Sequence, residues 1–417
     1  MTILKDFRDD RLAEQYELYP YPQRDPQDEK RRLLIGTPSH LNEIEYWVFG
    51  GKRKYSEPLR VLIAGCGTGD AAIMVAQQMA RRHSLGEVVC LDRAHNVLSI
   101  VKERAKIRNL NNLRIVQGSI LDLPNLSLGL FDYIDCCGVL HHLPNPSQGL
   151  AILKTMLAPQ GGIGLMVYAP YGRTGVYMLQ KALSYLAPLE EKPVKRLNIA
   201  KKIMQHLPST AWLRFNNNFS DHILGGDSGL YDLLLNPRDT PYTIDELWTL
   251  VEGTGFKINA LMEPVRYDPY YLTSDPMIRA KMDEMDTRSK AIISEALAGN
   301  MATHVMYISH QEDRWVRTDP CAMECVPYVR ETPIEVLIRR ILPSNLLPHV
   351  MNGLTVHLSL PSQAKMLLSL IDGKRNLGEI FELACQRGLA KNKIMSVWQE
   401  TFSKCESMNQ IFVRSLS

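Results

Sequence analysis

The stretch Val61–Asp70, which reads VLIAGCGTGD, constrains the fold more than any other part of the sequence. Its first four residues are apolar and predict a short buried strand, glycines follow at positions 65, 67 and 69, and a helical pattern begins at Ala71. Glycine has no side chain to block a ligand, and it adopts unusual backbone angles at little cost. Because a helix N-terminus also presents unpaired N–H groups, this strand–turn–helix unit predicts a site for a polar or anionic ligand.

Strands and helices alternate along the chain from residue 58 to residue 168, which indicates a parallel sheet with helices on both faces. Between residues 170 and 240 the alternation stops, and the segment is predicted to be helical with loops. An insertion at the carboxyl edge of such a sheet is well placed to build a substrate pocket. Sheet elements then resume, with predicted helices at 243–252 and 277–297 and predicted strands at 256–262 and 304–309.

The glycine turn fits two kinds of cofactor. Read from Gly67, the run GTGDAA matches the G-x-G-x-x-G/A fingerprint of dinucleotide binding. Read from Gly65, the run GCGTG resembles motif I of the class I S-adenosylmethionine (SAM) methyltransferases. Asp92, at the end of the second predicted strand, suits both, because a carboxylate there accepts hydrogen bonds from ribose hydroxyls in either cofactor. This stretch alone leaves both alternatives open.

The segments that follow extend the resemblance to class I SAM methyltransferases over residues 58–312. They are GSILDLP at 118–124, FDYIDCCGVLHHLPNP at 131–146 and PQGGIGLMVY at 159–168. The resemblance implies a Rossmann-like α/β fold, a seven-stranded sheet whose last strand is antiparallel, and a methyltransferase of the EC 2.1.1 type with SAM as cofactor. An NAD-dependent oxidoreductase remains an alternative, although it gives no reason for the Val-Leu-His-His segment.

A narrower resemblance concerns the acceptor. The stretches QYELYPYPQR near the N-terminus and LLLNPRDTPYTIDELWTLVEGTGF at 233–256 are similar to bacterial methyltransferases that include rickettsial protein lysine methyltransferases. This likeness suggests methyl transfer to a protein lysine side chain. A small-molecule methyltransferase and a non-catalytic SAM-binding scaffold remain alternatives.

The resemblance assigns a cofactor site to the carboxyl ends of the strands. Its predicted members are Gly65, Cys66, Gly67, Thr68, Gly69, Asp70, Asp92, Arg93, Ser119, Ile120, Leu121, Cys137 and Gly138. Two positions depart from the family pattern. Ile63 stands where the family often has an acid within the first strand, and Ser119 stands where it often has an acid near the adenine. We therefore expect the cofactor to be held differently or loosely.

Candidate catalytic and substrate-binding residues flank this site. The N-terminal segment YELYPYPQR carries Tyr16, Tyr19 and Tyr21, and we predict that it folds back as a lid, because tyrosine faces attract cations such as a sulfonium or an ammonium. A mere packing role for the segment is the alternative. His141 and His142 are candidates for proton transfer, with helix capping as the alternative. Arg173 is a candidate to hold a carboxylate.

Composition limits the other possibilities. The 417 residues predict two or three domains: a lid at 1–55, the SAM-binding domain at 56–312 with its insertion at 170–240, and a winged-helix-like module at 313–417 that contacts protein rather than DNA. The net charge of +3 gives no case for a nucleic-acid partner. The eight cysteines lie mostly in apolar runs without ligand spacing, so we predict no metal site. The sequence predicts neither a signal peptide nor a membrane span, and we expect a cytoplasmic protein.

Overall fold

The computed structural model describes residues 7–54, 56–217, 220–313 and 316–415, so residues 1–6 of the predicted lid lie outside the described part. The central region contains seven strands in a single sheet. They are β1 Leu59–Ala64, β2 Gly86–Asp92, β3 Leu113–Gln117, β4 Phe131–Cys137, β5 Leu157–Tyr168, β6 Phe256–Met262 and β7 Thr303–His310.

The strand order is β3-β2-β1-β4-β5-β7-β6. Strands β1 to β5 pair in parallel, whereas β7 pairs antiparallel with both β5 and β6. The predicted seven-stranded sheet with a reversed last strand is therefore confirmed. Because β1, β2, β4 and β5 are parallel, their carboxyl ends meet at the same edge of the sheet, and that edge carries the predicted site.

Helices cover the sheet on both faces. Up to residue 313 they are α1 Phe7–Leu18, α2 Leu41–Glu43, α3 Asp70–Arg81, α4 His95–Ile107, α5 Pro146–Thr155, α6 Val176–Leu186, α7 Pro193–Gln205, α8 Asp221–Leu224, α9 Gly226–Leu235, α10 Ile244–Gly253, α11 Pro276–Asp283 and α12 Thr287–Ala298. Side chains alternate along β1, so Val61 and Ile63 pack with α3 and α4, whereas Leu62 and Ala64 pack with α5 and α10. The predicted single helix at 277–297 is wrong, because the Asp286 carboxylate accepts the Ser289 N–H at 2.7 Å and starts a new helix.

The insertion has a small core of its own. Helices α6, α7 and α9 pack together around Leu183, Leu197 and Tyr231. Residues 228–235 of α9 are all buried, although the helix carries an aspartate at position 232. The insertion therefore holds a carboxylate at a fixed place beside the carboxyl edge of the sheet.

The C-terminal segment contains more structure than its sequence pattern indicated. Its helices are α13 Ile334–Arg340, α14 Ala364–Leu368, α15 Leu377–Gln386 and α16 Ile394–Ser407, and its strands are β8 Val326–Val329, β9 Leu346–Met351, β10 Leu354–Ser359 and β11 Ile411–Arg414. Helical spacing and turn residues in 361–404 predict three helices, and the apolar run 411–414 predicts a strand, which correspond to α14, α15, α16 and β11. Helix α13, strand β8 and the β9–β10 hairpin were not predicted. Asn352-Gly353 at the hairpin turn, with positive φ angles of 46° and 83°, was the available signal. The winged-helix-like description stays a prediction.

This segment shares a core with the rest of the chain. Phe412 of β11 stacks on Tyr46 with ring centroids 4.8 Å apart and meets the edge of Trp47 at 5.9 Å. The Trp47 indole N–H also donates to Asn409 Oδ1 at 2.9 Å. The same buried cluster continues through Ile63 to the sheet, so the C-terminal segment is part of the main hydrophobic core. None of the helices in the described residues has the length and apolar character needed to cross a membrane.

We expect Phe412→Ala to lower the free energy of unfolding by about 3–5 kcal/mol, because it removes a fully buried ring from this aromatic cluster. Urea denaturation measures the change. Val350→Ala is the matched control, since Val350 is 65% exposed, and we expect a change within about 0.5 kcal/mol. Equal stability of the two variants would contradict a shared core.

Candidate active site

A cavity of about 540 Å³ opens where β1, β2, β4 and β5 end. Most of the predicted site residues lie on its wall, namely Tyr16, Tyr21, Gly65, Cys66, Gly67, Asp70, Asp92, Arg93, Ser119, Ile120, Leu121, Cys137, Gly138, His142 and Arg173. Four predicted residues do not line the cavity, and they are Tyr19, Thr68, Gly69 and His141. The fold therefore brings most of the predicted cofactor and acceptor residues to one place.

The glycine turn forms one side of this cavity. Gly65 and Gly67 have positive φ angles of 79° and 49°, a region that favours glycine. A Cβ on Gly65 would lie 2.5 Å from Val139 Cγ2, and a Cβ on Gly67 would lie 2.9 Å from the Tyr21 carbonyl oxygen. Only glycine fits between these neighbours without displacing them, and both glycines lie on the cavity wall.

Thr68 and Gly69 support the turn from outside the cavity. The Thr68 hydroxyl donates to the carbonyl oxygen of Pro22 at 2.8 Å. Gly69 caps α3, and a Cβ there would meet Val101 at 2.8 Å. These two residues therefore hold the neighbouring segments against the turn rather than facing the cavity.

Asp92 connects the ends of β1 and β2. Its carboxylate accepts the Gly67 N–H at 2.9 Å and the Ala94 N–H at 3.1 Å. Burial raises the pKa of the Asp92 carboxyl above its ordinary value, while the backbone N–H groups of Ala94 and Gly67 act in the opposite direction. Asp92 thus fixes the glycine turn while presenting an acceptor to the cavity.

Ser119 has a local hydrogen-bonding role as well as its place on the wall. Its hydroxyl accepts the Leu121 N–H at 3.2 Å, and the Asp122 carboxylate accepts the Ser119 N–H at 3.2 Å. This capping box starts the short 3-10 helix Ile120–Asn125. The side chain at the predicted adenine position therefore shapes its own loop.

The segment Tyr16–Arg24, here called the strap, closes over the glycine turn. The Arg24 guanidinium donates to both Asp70 carboxylate oxygens, at 2.9 Å from Nε and 2.6 Å from Nη2. At the other end of the strap, the Glu17 carboxylate accepts the Asn96 N–H at 3.0 Å, at the N-terminus of α4. Tyr16 and Tyr21 reach the cavity, whereas Tyr19 stacks on Tyr231 outside it with centroids 4.9 Å apart.

Asp70 lies between two guanidinium groups. Arg104 Nη1 donates at 2.7 Å to Asp70 Oδ1, which also accepts from Arg24 Nε. Burial acts to raise the pKa of the Asp70 carboxyl, but the hydrogen bonds and charges of Arg24 and Arg104 outweigh it and hold the pKa below its ordinary value. Asp70 therefore stays ionised and ties the strap to the start of α3.

A cluster of tyrosines around a carboxylate forms the opposite wall of the cavity. Asp232 Oδ1 accepts from the Tyr16 hydroxyl at 3.0 Å and from the Gln15 amide at 3.3 Å. The Tyr168 hydroxyl donates to Asp232 Oδ2 at 3.4 Å. Burial raises the pKa of the Asp232 carboxyl above its ordinary value. In the described part of the chain no lysine or arginine forms an ion pair with Asp232.

Arg173 packs against the same cluster. Its guanidinium carbon lies 3.7 Å from the centroid of the Tyr168 ring, a cation–π contact. Its Nη2 lies 3.5 Å from Asp239 Oδ2, and both side chains are almost fully buried. Arg173 is therefore paired with Asp239, and its charge also acts on the Asp232 carboxylate, as does His142.

The two predicted histidines have different environments. His142 lines the cavity, and its Nδ1 faces the carbonyl oxygen of Arg238 at 2.5 Å. A carbonyl oxygen only accepts, so Nδ1 carries the proton and the Nε2 of a neutral His142 is free to accept one. His141 is fully buried, and that burial pushes the pKa of its imidazole well below the ordinary value. His142 is thus the histidine with access to the cavity.

Among the described residues, one group of side chains has metal-ligand spacing. The ligand atoms of His141, His142 and Asp239 lie within 4.8 Å of one another. The Arg173 guanidinium already supplies positive charge beside Asp239, and a divalent ion would be repelled by it. We assign no ion to this group, and the absence of a metal stays a prediction.

Several residues of the cavity wall were not predicted from the sequence, among them Asp135, Asp232 and Tyr168. A signal was present for the two carboxylates. Asp135 interrupts the apolar strand FDYIDCC, and Asp232 interrupts the apolar helix segment LYDLLL. A carboxylate inside an apolar run is costly to bury unless it has partners, and such positions are candidates for function.

Comparisons with known proteins agree with this geometry. Residues 56–188 match a family model described as a methyltransferase domain. An uncharacterised protein of Synechococcus sp. is 28% identical over 262 residues, which is 61% of this chain and 60% of that protein. A demethylmenaquinone methyltransferase of Listeria welshimeri is 32% identical over 101 residues, 24% of this chain and 41% of that protein. The matches thus span less than two thirds of either relative.

A solved structure with a similar fold is that of PKMT2 from Rickettsia typhi. It superimposes with a TM-score of 0.61 at 15% sequence identity and covers 91% of this chain and 75% of that one. The same protein in complex with AdoHcy gives a TM-score of 0.59 at 14% identity. At this level of identity the likeness concerns the fold.

We expect Asp92→Ala to weaken binding of S-adenosylhomocysteine by about 1–3 kcal/mol, because it removes a charge-assisted acceptor from the cavity and a partner of the Gly67 N–H. Isothermal titration calorimetry measures the affinity. Asp132→Ala is the control, since Asp132 lies on β4 away from the cavity wall and accepts the Arg60 N–H at 2.7 Å. Unchanged affinity in a folded Asp92→Ala protein would remove Asp92 from the site.

Proposed function

We propose that the chain is a class I SAM-dependent methyltransferase and that it transfers a methyl group to an amine nitrogen, with a protein lysine side chain as the acceptor. The observation that carries the proposal is the buried Asp232 carboxylate, surrounded by neutral donors in the same cavity as the glycine turn. A buried carboxylate whose hydrogen-bond donors are neutral side chains favours binding of a cation. A protonated amine is a ligand with that charge.

The residues of the cavity suit the cofactor. Gly65 and Gly67 on the cavity wall would lie along its methionine part, and Asp92 would accept from its ribose hydroxyls. When bound, SAM supplies an activated methyl group on a sulfonium. The role of the chain is then to orient the acceptor in line with that group and to exclude water, and positioning of this kind contributes roughly 7–11 kcal/mol.

The acceptor end must bind an amine and also remove a proton from it. An ammonium is attracted by Asp232 and by the ring face of Tyr16, but a nitrogen nucleophile needs its lone pair. Burial favours the neutral amine. Asp232 Oδ2, with the pKa of its carboxyl raised by burial, and His142 Nε2 are the two atoms that would take the proton.

Two likenesses support a protein acceptor. The fold is similar to that of PKMT2 of Rickettsia typhi, and the sequence of the strap resembles rickettsial lysine methyltransferases. A small-molecule acceptor is the second candidate, because a relative with 32% identity is a demethylmenaquinone methyltransferase. Incubation of the protein with tritiated SAM and a cell lysate, followed by separation of labelled products by size and by amino-acid analysis, distinguishes them. Label in methyl-lysine supports the proposal, whereas label confined to small molecules overturns it.

The two remaining alternatives, an NAD-dependent oxidoreductase and a non-catalytic scaffold, can be tested with the same purified protein. Calorimetry with NAD and with SAM separates the first from a methyltransferase. SAM binding without transfer to any lysate fraction would favour a scaffold that acts through the C-terminal module.

We expect Asp232→Asn to lower kcat/KM for the labelled acceptor by about two orders of magnitude, ~2.7 kcal/mol, because the amide keeps the shape but loses the charge. Cofactor affinity should stay within about twofold of the wild-type value, since Asp232 lies on the acceptor side. Asp227→Asn on the same helix is the control, because Asp227 is exposed and pairs with Lys201 at 2.6 Å. Equal kinetics of the two variants would contradict an ammonium-binding role.

We expect removal of residues 1–24 to leave a folded core that has lost most methyl transfer, because Tyr16, Tyr21 and the Arg24–Asp70 pair leave with the strap. Tyr21→Ala should reduce turnover more than it reduces the melting temperature. Tyr19→Ala is its matched control, since Tyr19 stacks on Tyr231 outside the cavity, and we expect it to affect melting more than turnover. A truncated core with the full rate of transfer would eliminate the lid.

A further inference from the structure

The strand β1 lacks the acid that often contributes to the cofactor site in this family, and Ile63 occupies its position on the cavity wall. We propose that Asp135 of β4 binds the α-ammonium group of the methionine part of the cofactor, so that the acid has moved to the neighbouring strand. The inference rests on the proposed function only in taking SAM as the ligand. It does not depend on the nature of the acceptor.

Strand register puts the two residues side by side. Ile63 of β1 is paired with Asp135 of β4 in the parallel ladder, so both project from the same face of the sheet. Both line the cavity, together with Cys137, which projects from that face two residues later. A carboxylate at 135 therefore reaches the region of the cavity that an acid at 63 would reach.

The surroundings of Asp135 include no cation that would balance its charge. Its side chain is 2% exposed, one oxygen accepts the Ser39 hydroxyl, and the other accepts the Cys137 N–H at 3.2 Å. Within the described residues no lysine or arginine is paired with it. Each oxygen keeps one acceptor position, and a buried carboxylate of this kind is stabilised by a cationic ligand.

The other acids on the wall already have different roles. Asp70 is held between Arg24 and Arg104, and Asp92 accepts two backbone N–H groups at the ribose position. Asp9 is paired with Arg238 at 2.6 Å, and Asp232 is surrounded by tyrosines on the acceptor side. Asp135 lies beside Ile63 of β1 and two residues before Cys137, close in sequence to the ends of the strands where the methionine part would lie. Its place and charge together point to the cofactor ammonium.

The test compares S-adenosylhomocysteine with its deamino analogue, in which hydrogen replaces the α-amino group. We expect the wild-type protein to bind the parent compound at least about tenfold more tightly, as measured by calorimetry. In Asp135→Asn the ratio of the two dissociation constants should fall close to one, mainly because the parent compound binds more weakly. In the control Asp92→Asn both ligands should weaken while the preference is retained, because Asp92 does not face the amino group.

A rescue variant strengthens the test. Ile63→Asp combined with Asp135→Asn returns a carboxylate to β1, and we expect it to restore the preference for the parent compound. Ile63→Glu alone should not tighten binding, because its carboxylate would adjoin that of Asp135. Asp135→Ser provides an uncharged alternative if the asparagine variant melts early, and we expect the same loss of preference.

Two results would overturn the inference. One is a wild-type preference retained in Asp135→Asn or Asp135→Ser protein of normal melting temperature. The other is a wild-type protein that binds both ligands equally well. A wild-type protein that binds neither ligand would overturn the proposed function as well, so the two failures are distinguishable.

Discussion

A single buried guanidinium holds together the elements on which the cavity depends. Arg104 of α4 is 1% exposed, and its Nη1 donates to the Thr68 carbonyl oxygen and to Asp70 Oδ1, both at 2.7 Å. Its Nε and Nη2 donate to Glu29 Oε1 at 2.8 and 2.7 Å. One side chain thus joins the glycine turn, helix α3 and the turn that follows the strap. Loss of one partner from such a buried network leaves uncompensated charge, which is strongly destabilising.

The aspartates on the cavity wall differ in their hydrogen-bond and ion-pair partners. Asp70 faces arginines and serves to attach the strap, whereas Asp92 faces backbone N–H groups and fixes the turn. Asp135 and Asp232 accept hydrogen bonds from neutral donors, and burial raises the pKa of both carboxyls, to about 6 for Asp135. Chemically identical groups within one pocket therefore differ in what they can bind, because their neighbours differ.

Local pattern and chain order predicted the sheet, and contacts between distant residues account for what was missed. The alternation around Val61–Asp70 is a local signal, so strands β1 to β7 and the glycine turn followed from it. Asp232 reaches the cavity because α9 packs beside α1, a contact over 216 residues with Tyr16. Arg24 finds Asp70 only after the strap folds back, and no spacing rule links them. The histidine pair shows the same limit, since adjacent residues differ in access to the cavity.

The stacking of Phe412 on Tyr46 has a consequence for the order in which the protein assembles during synthesis. The neighbouring hydrogen bonds from Tyr46 to Glu406 and from Trp47 to Asn409 span 360 and 362 residues. A ribosome must therefore release almost all of this chain before the aromatic cluster can close, although the glycine turn has long since emerged. At an elongation rate of roughly 5–20 residues per second, the nascent chain spends on the order of 20–70 seconds with Tyr46 and Trp47 uncovered. A chaperone that shields aromatic surface would find its target in that interval.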